Sequence, residues 1–193
     1  MLRVAKESDV SAMLAIYAPY VRDSTVSFEY EVPAEAEFLA RFRETTRQFP
    51  WLVWEQAGEI LGYAYAARPF ARAAYSWCAE PSIYVASAAQ GQGIGRKLYS
   101  ALEELLRQQG YFVLYAWVTG ENTQSVRFHE SMGYATSMIL QNCGYKFGRW
   151  CSLNWMEKRL KTVGNPMDFP TSWQVFVQDD QKICDILYNL SLS

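Results

Sequence analysis

Three glycines stand close together between an apolar stretch and a helix-like stretch in residues 88–110, AAQGQGIGRKLYSALEELLRQQG. Gly91, Gly93 and Gly95 permit positive φ angles and allow a ligand to approach the backbone closely. A glycine turn that runs into a helix leaves N–H groups free, and the helix dipole adds about half a positive charge there. This combination binds phosphate groups. The alternative interpretation is a tight strand-to-helix turn without a ligand.

Two well-known phosphate-binding patterns do not fit these glycines. The P-loop pattern G-x-x-x-x-G-K-[ST] is absent, because Arg96-Lys97-Leu98 follows the last glycine and supplies no Ser or Thr for magnesium. The dinucleotide pattern G-x-G-x-x-G fails because the spacing here is G-x-G-x-G. We therefore exclude a P-loop nucleotidase and a dinucleotide-binding protein.

The elements around the glycines predict a mixed α/β fold. Hydrophobic periodicity and turn residues predict the order β-α-α-β-β-β-α-β-α-β-β. This order combines hairpins with crossover helices, which favours a mixed sheet. The pattern predicts a hairpin turn at 56–59, a helix over 94–109 ended by Gly110, and Pro33 in the first turn of the second helix. The apolar run YFVLYAWV predicts a strand buried on both faces.

Length and charge bound the class of protein. The 193 residues suit one domain with an appendage: a domain over 1–160 and a C-terminal extension of unknown role over 161–193. Within the extension, KTVGNPMDFPTSW is typical of a linker, and the remainder predicts a strand followed by a short helix. The formal net charge of −2 argues against general nucleic-acid binding. No apolar run approaches the length of a membrane span, so we expect a cytoplasmic protein without a membrane partner.

Cysteine and histidine are too few and too scattered for a metal site. The single histidine is His129, which leaves almost no material for zinc, and we expect no metal. The cysteines show no C-x-x-C spacing and are expected to be free thiols in a reducing compartment. They are Cys78, Cys143, Cys151 and Cys184.

The residues flanking the glycines carry a resemblance to a known superfamily. Gln90-Gly91-Gln92-Gly93-Ile94-Gly95 resembles Q/R-x-x-G-x-G/A, the signature of GNAT N-acetyltransferases, and ENTQSVRFHESMGY resembles that superfamily's second signature. The segments STVSFEYEVP, RAAYSWCAEPSIYV, SVRFHESMGY and GYKFGRW are similar to the phosphinothricin N-acetyltransferase family. The resemblance covers about residues 2–160. It implies the GNAT fold, a mixed central β-sheet flanked by helices on both faces, in an acetyl-CoA-dependent N-acetyltransferase.

The same resemblance implies where acetyl-CoA binds. The backbone of Ile83, Tyr84 and Val85 would pair with the pantetheine arm as an added strand would. Residues Gln90 to Arg96 would hold the pyrophosphate, with the charge supplied by the arginine. Asn122 would bond the arm from the other side.

Two side chains are candidates for the acetyl transfer itself. Glu80 is the candidate base, because its apolar setting is expected to raise the pKa of its carboxyl toward neutrality. The alternative is a strand-end carboxylate in water. His129 matches a family position near the thiol, where it would donate to sulfur or relay the substrate's proton; the alternative is a structural histidine. The backbone N–H groups at Tyr84 and Val85 are candidate donors to the developing oxyanion.

The acceptor site is expected opposite the cofactor arm. The resemblance points to Phe28, Glu29, Arg72, Ala73, Ala74, Tyr75 and Glu80. Arg72 suits a substrate carboxylate or phosphinate that it holds bidentately, and Arg68 is a second candidate; either arginine is otherwise a surface charge.

The expected reaction is direct attack by the amine of phosphinothricin, methionine sulfoximine, methionine sulfone or a similar small molecule. The alternatives are another amine (a polyamine, an aminoglycoside or a protein N-terminus) and a CoA-binding module without turnover. Exposed strand edges and the aromatic C-terminal strand with Trp150 and Trp155 favour a homodimer.

Overall fold

The computed structural model describes residues 1–162 and 168–192. The helices and strands within them are, in chain order, β1 (Leu2–Val4), α1 (Val10–Asp23), α2 (Glu35–Thr45), β2 (Trp51–Gln56), β3 (Glu59–Ala67), β4 (Cys78–Val85), α3 (Ile94–Gln109), β5 (Val113–Thr119), α4 (Thr123–Ser131), β6 (Ala135–Lys146), β7 (Arg149–Arg159), α5 (Trp173–Phe176) and α6 (Asp180–Leu192). The strands form one sheet in the order β1-β2-β3-β4-β5-β7-β6. In that sheet β4 and β5 run parallel and the other neighbours antiparallel. The predicted mixed sheet and the predicted order of elements up to residue 160 are confirmed.

The core lies on both faces of this sheet. On one face, α3 buries Leu98 and Leu102 completely, at the spacing that gives a helix one apolar side. On the other face, α1 buries Met13. Leu52 and Val53 are consecutive in β2 and enter different core clusters, as the alternation of side chains along a strand requires. Helices therefore cover both faces, as the fold prediction states.

β4 and β5 diverge soon after they meet. Within the described residues they pair at Cys78 with Val113 and at Ala79 with Leu114. On its other side, β4 stays paired with β3 over residues 80–85. The edge of β4 that faces β5 is therefore open beyond Ala79.

Backbone hydrogen bonds show which residues of β4 face the open edge. The carbonyl of Trp77 accepts from the N–H of Phe112 on the β5 side, whereas the N–H of Ala86 donates to Leu61 on the β3 side, both at 2.9 Å. Successive backbone groups point to opposite sides of a strand, so odd-numbered residues of β4 face the open edge. Pro81 is one of them, and its missing N–H removes no bond to β3.

The C-terminal extension differs from its prediction at one point. Residues 173–176 form α5 rather than a strand, and α6 follows as the predicted helix. Side chains from both helices enter the core beside α3: Trp173, Phe176, Ile183 and Leu187. Residues 163–167 of the predicted linker lie outside the described residues.

Two further local predictions are wrong. β5 is not buried on both faces, because Leu114 and Ala116 are buried but Trp117 is 43% exposed. Pro33 precedes Ala34, the N-cap of α2, so it lies outside the first turn. The predicted hairpin turn is confirmed, with positive φ at residues 57 and 58, and so are the predicted bounds of α3.

Candidate active site

A groove of about 440 Å³ lies between the end of β4, the start of α3 and α4. Its walls include most of the residues predicted to bind acetyl-CoA. Those that line it are Ile83, Val85, Gln90, Gly91, Gly93, Ile94, Gly95, Arg96 and Asn122, together with Tyr20, Val26, Ala89, Gln124, Ser125 and Phe128. Tyr84 and Gln92 are not among the lining residues. The ring of Tyr84 packs edge-on against Tyr17, and the Gln92 amide donates to the Ala88 carbonyl.

The glycine turn presents uncovered backbone to this groove. Gly91 and Gly93 have φ angles of 75° and 79°, and a Cβ on either would have no heavy atom within 4 Å. Gly93 is the N-cap of α3, and no side chain caps that end of the helix. A Cβ on Gly95 would sit 3.5 Å from Ile83 and 3.8 Å from Phe128, on the floor of the groove. The first-turn N–H groups of α3 are thus open to an anion.

Two polar side chains stand at the edges of the groove. The exposed guanidinium of Arg96 donates to the Ser131 hydroxyl at 2.8 Å, and in the described part of the chain it forms no ion pair. Asn122 is the N-cap of α4, where its Oδ1 accepts from the N–H of Ser125 at 3.1 Å. That bond turns the amide oxygen to the helix and leaves the amide NH₂ as a donor. Such a set of N–H donors with one cation fits an amide-containing arm that ends in a diphosphate.

Tyr20 is a groove residue that the sequence analysis missed. Its hydroxyl donates to the Val85 carbonyl at 2.5 Å and accepts from the Val85 N–H at 3.3 Å. The Gln90 amide donates to the same hydroxyl at 3.0 Å. One α1 side chain thereby bonds both backbone groups predicted for the cofactor arm at this position. In the alternation of β4 described above, the backbone groups of Tyr84 face β3. Of the three residues predicted to pair with the cofactor arm, only Ile83 and Val85 therefore present their backbone groups to the open edge.

Glu80 lies on the open length of β4, on the face shared with Tyr84. It is partly buried, and desolvation raises the pKa of its carboxyl to about 7. This rise matches the expectation from its apolar surroundings. A carboxyl whose pKa lies near neutrality suits a general base that works near pH 7.

His129 is buried, with both ring nitrogens bonded inside the protein. Nε2 lies 2.9 Å from the Tyr99 hydroxyl, and Nδ1 lies 2.8 Å from the Ser125 carbonyl. The carbonyl only accepts, so Nδ1 carries the proton and Nε2 accepts from Tyr99. Burial lowers the pKa of His129, so the ring is neutral at pH 7. The predicted donation from His129 to the sulfur of acetyl-CoA would require one of these two hydrogen bonds to break.

The predicted acceptor residues occupy two loops. In the loop after α1, the Glu29 carboxylate accepts from Tyr17 at 3.2 Å and from Arg41 at 2.5 Å. Arg41 belongs to α2 and was not predicted, because no local pattern links it to Glu29. The partly buried Phe28 precedes Glu29 and packs on the backbone of Gly144.

The second loop lies between β3 and β4. Residues 72–75 are exposed there, with a 3-10 turn over Ala73–Tyr75. Phe70 anchors the loop, with its ring 4.7 Å from that of Tyr75 and 5.9 Å from that of Trp155. Arg68, the second predicted arginine, lines a separate cleft beside Tyr111.

Known proteins resemble this chain in sequence and in fold. The family model described as an acetyltransferase (GNAT) domain matches residues 2–169. A phosphinothricin N-acetyltransferase of Alcaligenes faecalis is 38% identical over 161 residues, 82% of each chain. An L-methionine sulfoximine/L-methionine sulfone acetyltransferase of Salmonella typhimurium is 32% identical over 168 residues, 86% of this chain and 97% of that protein. The structure of a GNAT superfamily phosphinothricin acetyltransferase of Sinorhizobium meliloti, in complex with AcCoA, superposes with a TM-score of 0.84 at 30% identity, over 90% of this chain and 97% of that one.

Proposed function

The chain belongs to the GNAT acetyltransferase family, and on that premise we propose that it acetylates the amino group of a small amino acid-like acceptor. Phosphinothricin, methionine sulfoximine and methionine sulfone are the candidate acceptors, since relatives carry these molecules in their names. The observation that carries the proposal is the Glu80 carboxyl, whose pKa burial raises to about 7 beside an open strand edge.

Acetyl-CoA, when bound, supplies an activated acetyl group. The N–H groups of the glycine turn and the guanidinium of Arg96 would hold its pyrophosphate. Ile83 and Asn122 would bond the amides of its arm from opposite sides. The groove geometry supports this assignment, because the turn needs glycine and leaves the helix end uncapped.

Glu80 takes the role of general base. An amine attacks a thioester only as the free base, so its ammonium must first lose a proton, and the Glu80 carboxylate accepts that proton. The amine nitrogen would then attack the thioester carbonyl carbon directly, and the carbon–sulfur bond would break to release CoA as its thiolate. The Val85 N–H is the candidate donor to the oxygen that becomes negative, once Tyr20 releases it.

His129 serves in this proposal as a positioning residue. It holds the Tyr99 hydroxyl, which lies 3.5 Å from the Pro81 carbonyl next to Glu80 in β4. A neutral buried imidazole suits that task, because it accepts one bond and donates another without carrying charge. The predicted direct role of His129 at the thiol stays a prediction.

Arg72 is the candidate anchor for the acceptor's carboxylate or phosphinate, held by two parallel N–H bonds. It is exposed and forms no ion pair with another described residue, so its charge is available to an anionic substrate. Phe28, Glu29 and residues 73–75 would complete the acceptor site. An anionic acceptor favours amino acid analogues over the polyamines and aminoglycosides considered above.

We also propose a cytoplasmic homodimer with the C-terminal extension packed against each catalytic domain. Exposed apolar side chains on both strands of the β6–β7 hairpin support the dimer; they are Met138, Ile139, Tyr145 and Trp150. The free cysteines support a reducing compartment. Among the described residues, no helix combines the length and the apolarity that a membrane crossing requires.

A thiol-release assay with acetyl-CoA and a panel of amines tests the function. We expect turnover of phosphinothricin or the methionine analogues, and little turnover of polyamines, aminoglycosides or peptide N-termini. Turnover that survives Glu80→Gln and His129→Ala together would overturn the mechanism. Acetyl-CoA binding without turnover of any amine would favour a non-catalytic binding module.

A further inference from the structure

Lys146, at the end of β6, is a buried cation that bonds the loop after α1. Lys146 is only 2% exposed to solvent. The ammonium donates to the carbonyls of Val21, Ser24 and Ser27 at 2.7, 2.9 and 2.7 Å. All three of its N–H donors are therefore used on one backbone segment.

The position of these carbonyls explains why a charge is tolerated there. Val21 lies in the last turn of α1 and Ser24 is its C-cap, where the helix dipole is negative. Burial lowers the pKa of Lys146, and the nearby Glu29 carboxylate opposes that shift. The ammonium thus caps α1 from a strand more than a hundred residues later in the chain, and this cap fixes the start of the loop.

Two neighbours of Lys146 hold the same loop. A Cβ on Gly144 would lie 2.5 Å from Cε2 and 2.7 Å from Cζ of Phe28, so the ring occupies space that only glycine leaves open. The hydroxyl of Tyr30 donates to the carbonyl of Tyr145. Residues 144–146 therefore contact the loop at Ser27 and Phe28, just before Glu29, and at Tyr30, just after it.

We propose that residues 144–146 form a hairpin clamp whose positioning residues, Lys146 and Gly144, fix Phe28 and Glu29 and so determine affinity for the acceptor. This rests on the proposed function, in which those two loop residues line the acceptor site. Neither positioning residue lines the acetyl-CoA groove, although Val26 of the clamped loop does. The clamp therefore acts on the acceptor KM more than on the acetyl-CoA KM.

Gly144→Ala tests the clamp in steady-state kinetics. The added methyl displaces the Phe28 ring, and we expect the acceptor KM to rise about tenfold while the acetyl-CoA KM changes less than about threefold. In a Phe28→Ala background the methyl meets no ring, so Gly144→Ala should then have no further effect. Ser137→Ala, at an exposed position seven residues earlier on the same strand, is the control and should leave both constants unchanged.

An equal effect of Gly144→Ala in both backgrounds would overturn the proposal, and so would an unchanged acceptor KM in the native background. A rise confined to acetyl-CoA would overturn it as well. This double-mutant cycle removes no buried charge. It therefore remains decisive even if Lys146→Met, the variant used below for hydrogen exchange, fails to fold.

Hydrogen exchange tests the clamp independently of any acceptor. Lys146→Met keeps the aliphatic stem and removes the three N–H donors, so amides of residues 24–31 should exchange at least about tenfold faster, with α3 unchanged. If the amine panel gives no turnover, the proposed function fails while this measurement still judges the clamp. If exchange in residues 24–31 is unchanged while the native protein is active, the clamp fails and the function stands.

Discussion

The Tyr99 hydroxyl and His129 Nε2 are joined by a 2.9 Å hydrogen bond in the interior, behind the open edge of β4. The Tyr99 oxygen is also 3.5 Å from the carbonyl of Pro81, the residue after Glu80. A contact path therefore leads from a neutral imidazole on α4, through a phenol on α3, to the backbone that carries the candidate base. Glu80 and His129 are both buried titratable groups, but burial moves their pKa values in opposite directions.

Glu80→Gln should lower kcat by about 10²- to 10⁴-fold, because glutamine cannot accept the ammonium proton. In the native protein, kcat/KM should fall below a pKa of about 7, as the carboxyl becomes protonated. The measurement is the pH profile of kcat/KM for the acceptor. Glu59→Gln, in an exposed position at the start of β3, is the control and should keep the native profile.

Glu80→Gln should also stabilise the fold at high pH. The folded pKa of about 7 exceeds the reference value of 4.5, so between those pH values the native state binds more protons than the unfolded state. The free energy of unfolding therefore falls as pH rises through this range, and Gln avoids the loss. We expect Glu80→Gln to gain ~1–3 kcal/mol above pH 7, after allowance for its partial exposure, and nothing below pH 4.5. Urea unfolding across pH measures this; a constant gain at every pH would contradict it.

His129→Gln should remove a pH dependence of the opposite sign. The folded pKa of His129 lies below the reference value of 6.5, so under acidic conditions the unfolded state binds the extra proton. Stability conferred by the neutral imidazole is full above pH 6.5 and declines as pH falls below it. His129 is the only histidine, so the assignment is direct. Because Glu80 titrates over the same range, the comparison is made in a Glu80→Gln background. Carboxylates such as Asp9, whose pKa is lowered by Arg3, also lose stability in acid, so the prediction is contradicted if His129→Gln leaves the acid-side decline as large as in Glu80→Gln alone.

Gly93→Ala should weaken acetyl-CoA binding, whereas Gly58→Ala should not. The two glycines are matched, with φ angles of 79° and 82° and open space around a Cβ on each. Each alanine costs ~1–2 kcal/mol of stability from the left-handed backbone. The Gly93 methyl alone would stand in the groove, so a rise in Kd for acetyl-CoA of about tenfold or more is expected only there, by isothermal titration. Equal Kd values for the two variants would contradict the proposal that the glycine turn binds the pyrophosphate of acetyl-CoA.

Trp173→Ala should destabilise the whole domain and not the extension alone. Trp173 is 4% exposed and packs in the α3 core, so its truncation should cost ~3–5 kcal/mol. Tyr188→Ala changes a residue of α6 that is 66% exposed and should cost no more than ~0.5 kcal/mol. Thermal unfolding followed by near-ultraviolet circular dichroism compares them. A separate low-temperature transition in Trp173→Ala would indicate that the extension is an independent unit.

Local signals explain most of what the sequence predicted. The bounds of α3 follow from apolar spacing and from Gly110, whose φ of 109° ends the helix. The hairpin turn follows from Gly58, and the prediction of a cofactor site at the groove follows from glycines at fixed spacing. Each of these features depends on a few neighbouring residues, so it is visible without knowledge of the tertiary contacts.

The unpredicted parts of the site depend on contacts between residues far apart in sequence. The Tyr20 hydroxyl meets Val85 across 65 positions, and Lys146 reaches Val21 across 125. A lysine is ordinarily a surface residue and a tyrosine is found both in cores and at surfaces, so neither residue type gave a signal. The exposure of one face of β5 at Trp117 was missed for a related reason, since a continuous apolar run does not tell which side another layer covers.

The open edge of β4 also bears on the solubility of the unliganded protein. Unpaired strand edges offer N–H and C=O groups to any extended chain and are starting points for aggregation. Pro81 has no N–H, and the Tyr20 hydroxyl bonds both backbone groups of Val85. A foreign strand would find the bonding row interrupted at both ends, so the edge that can accept a ligand is protected from other chains.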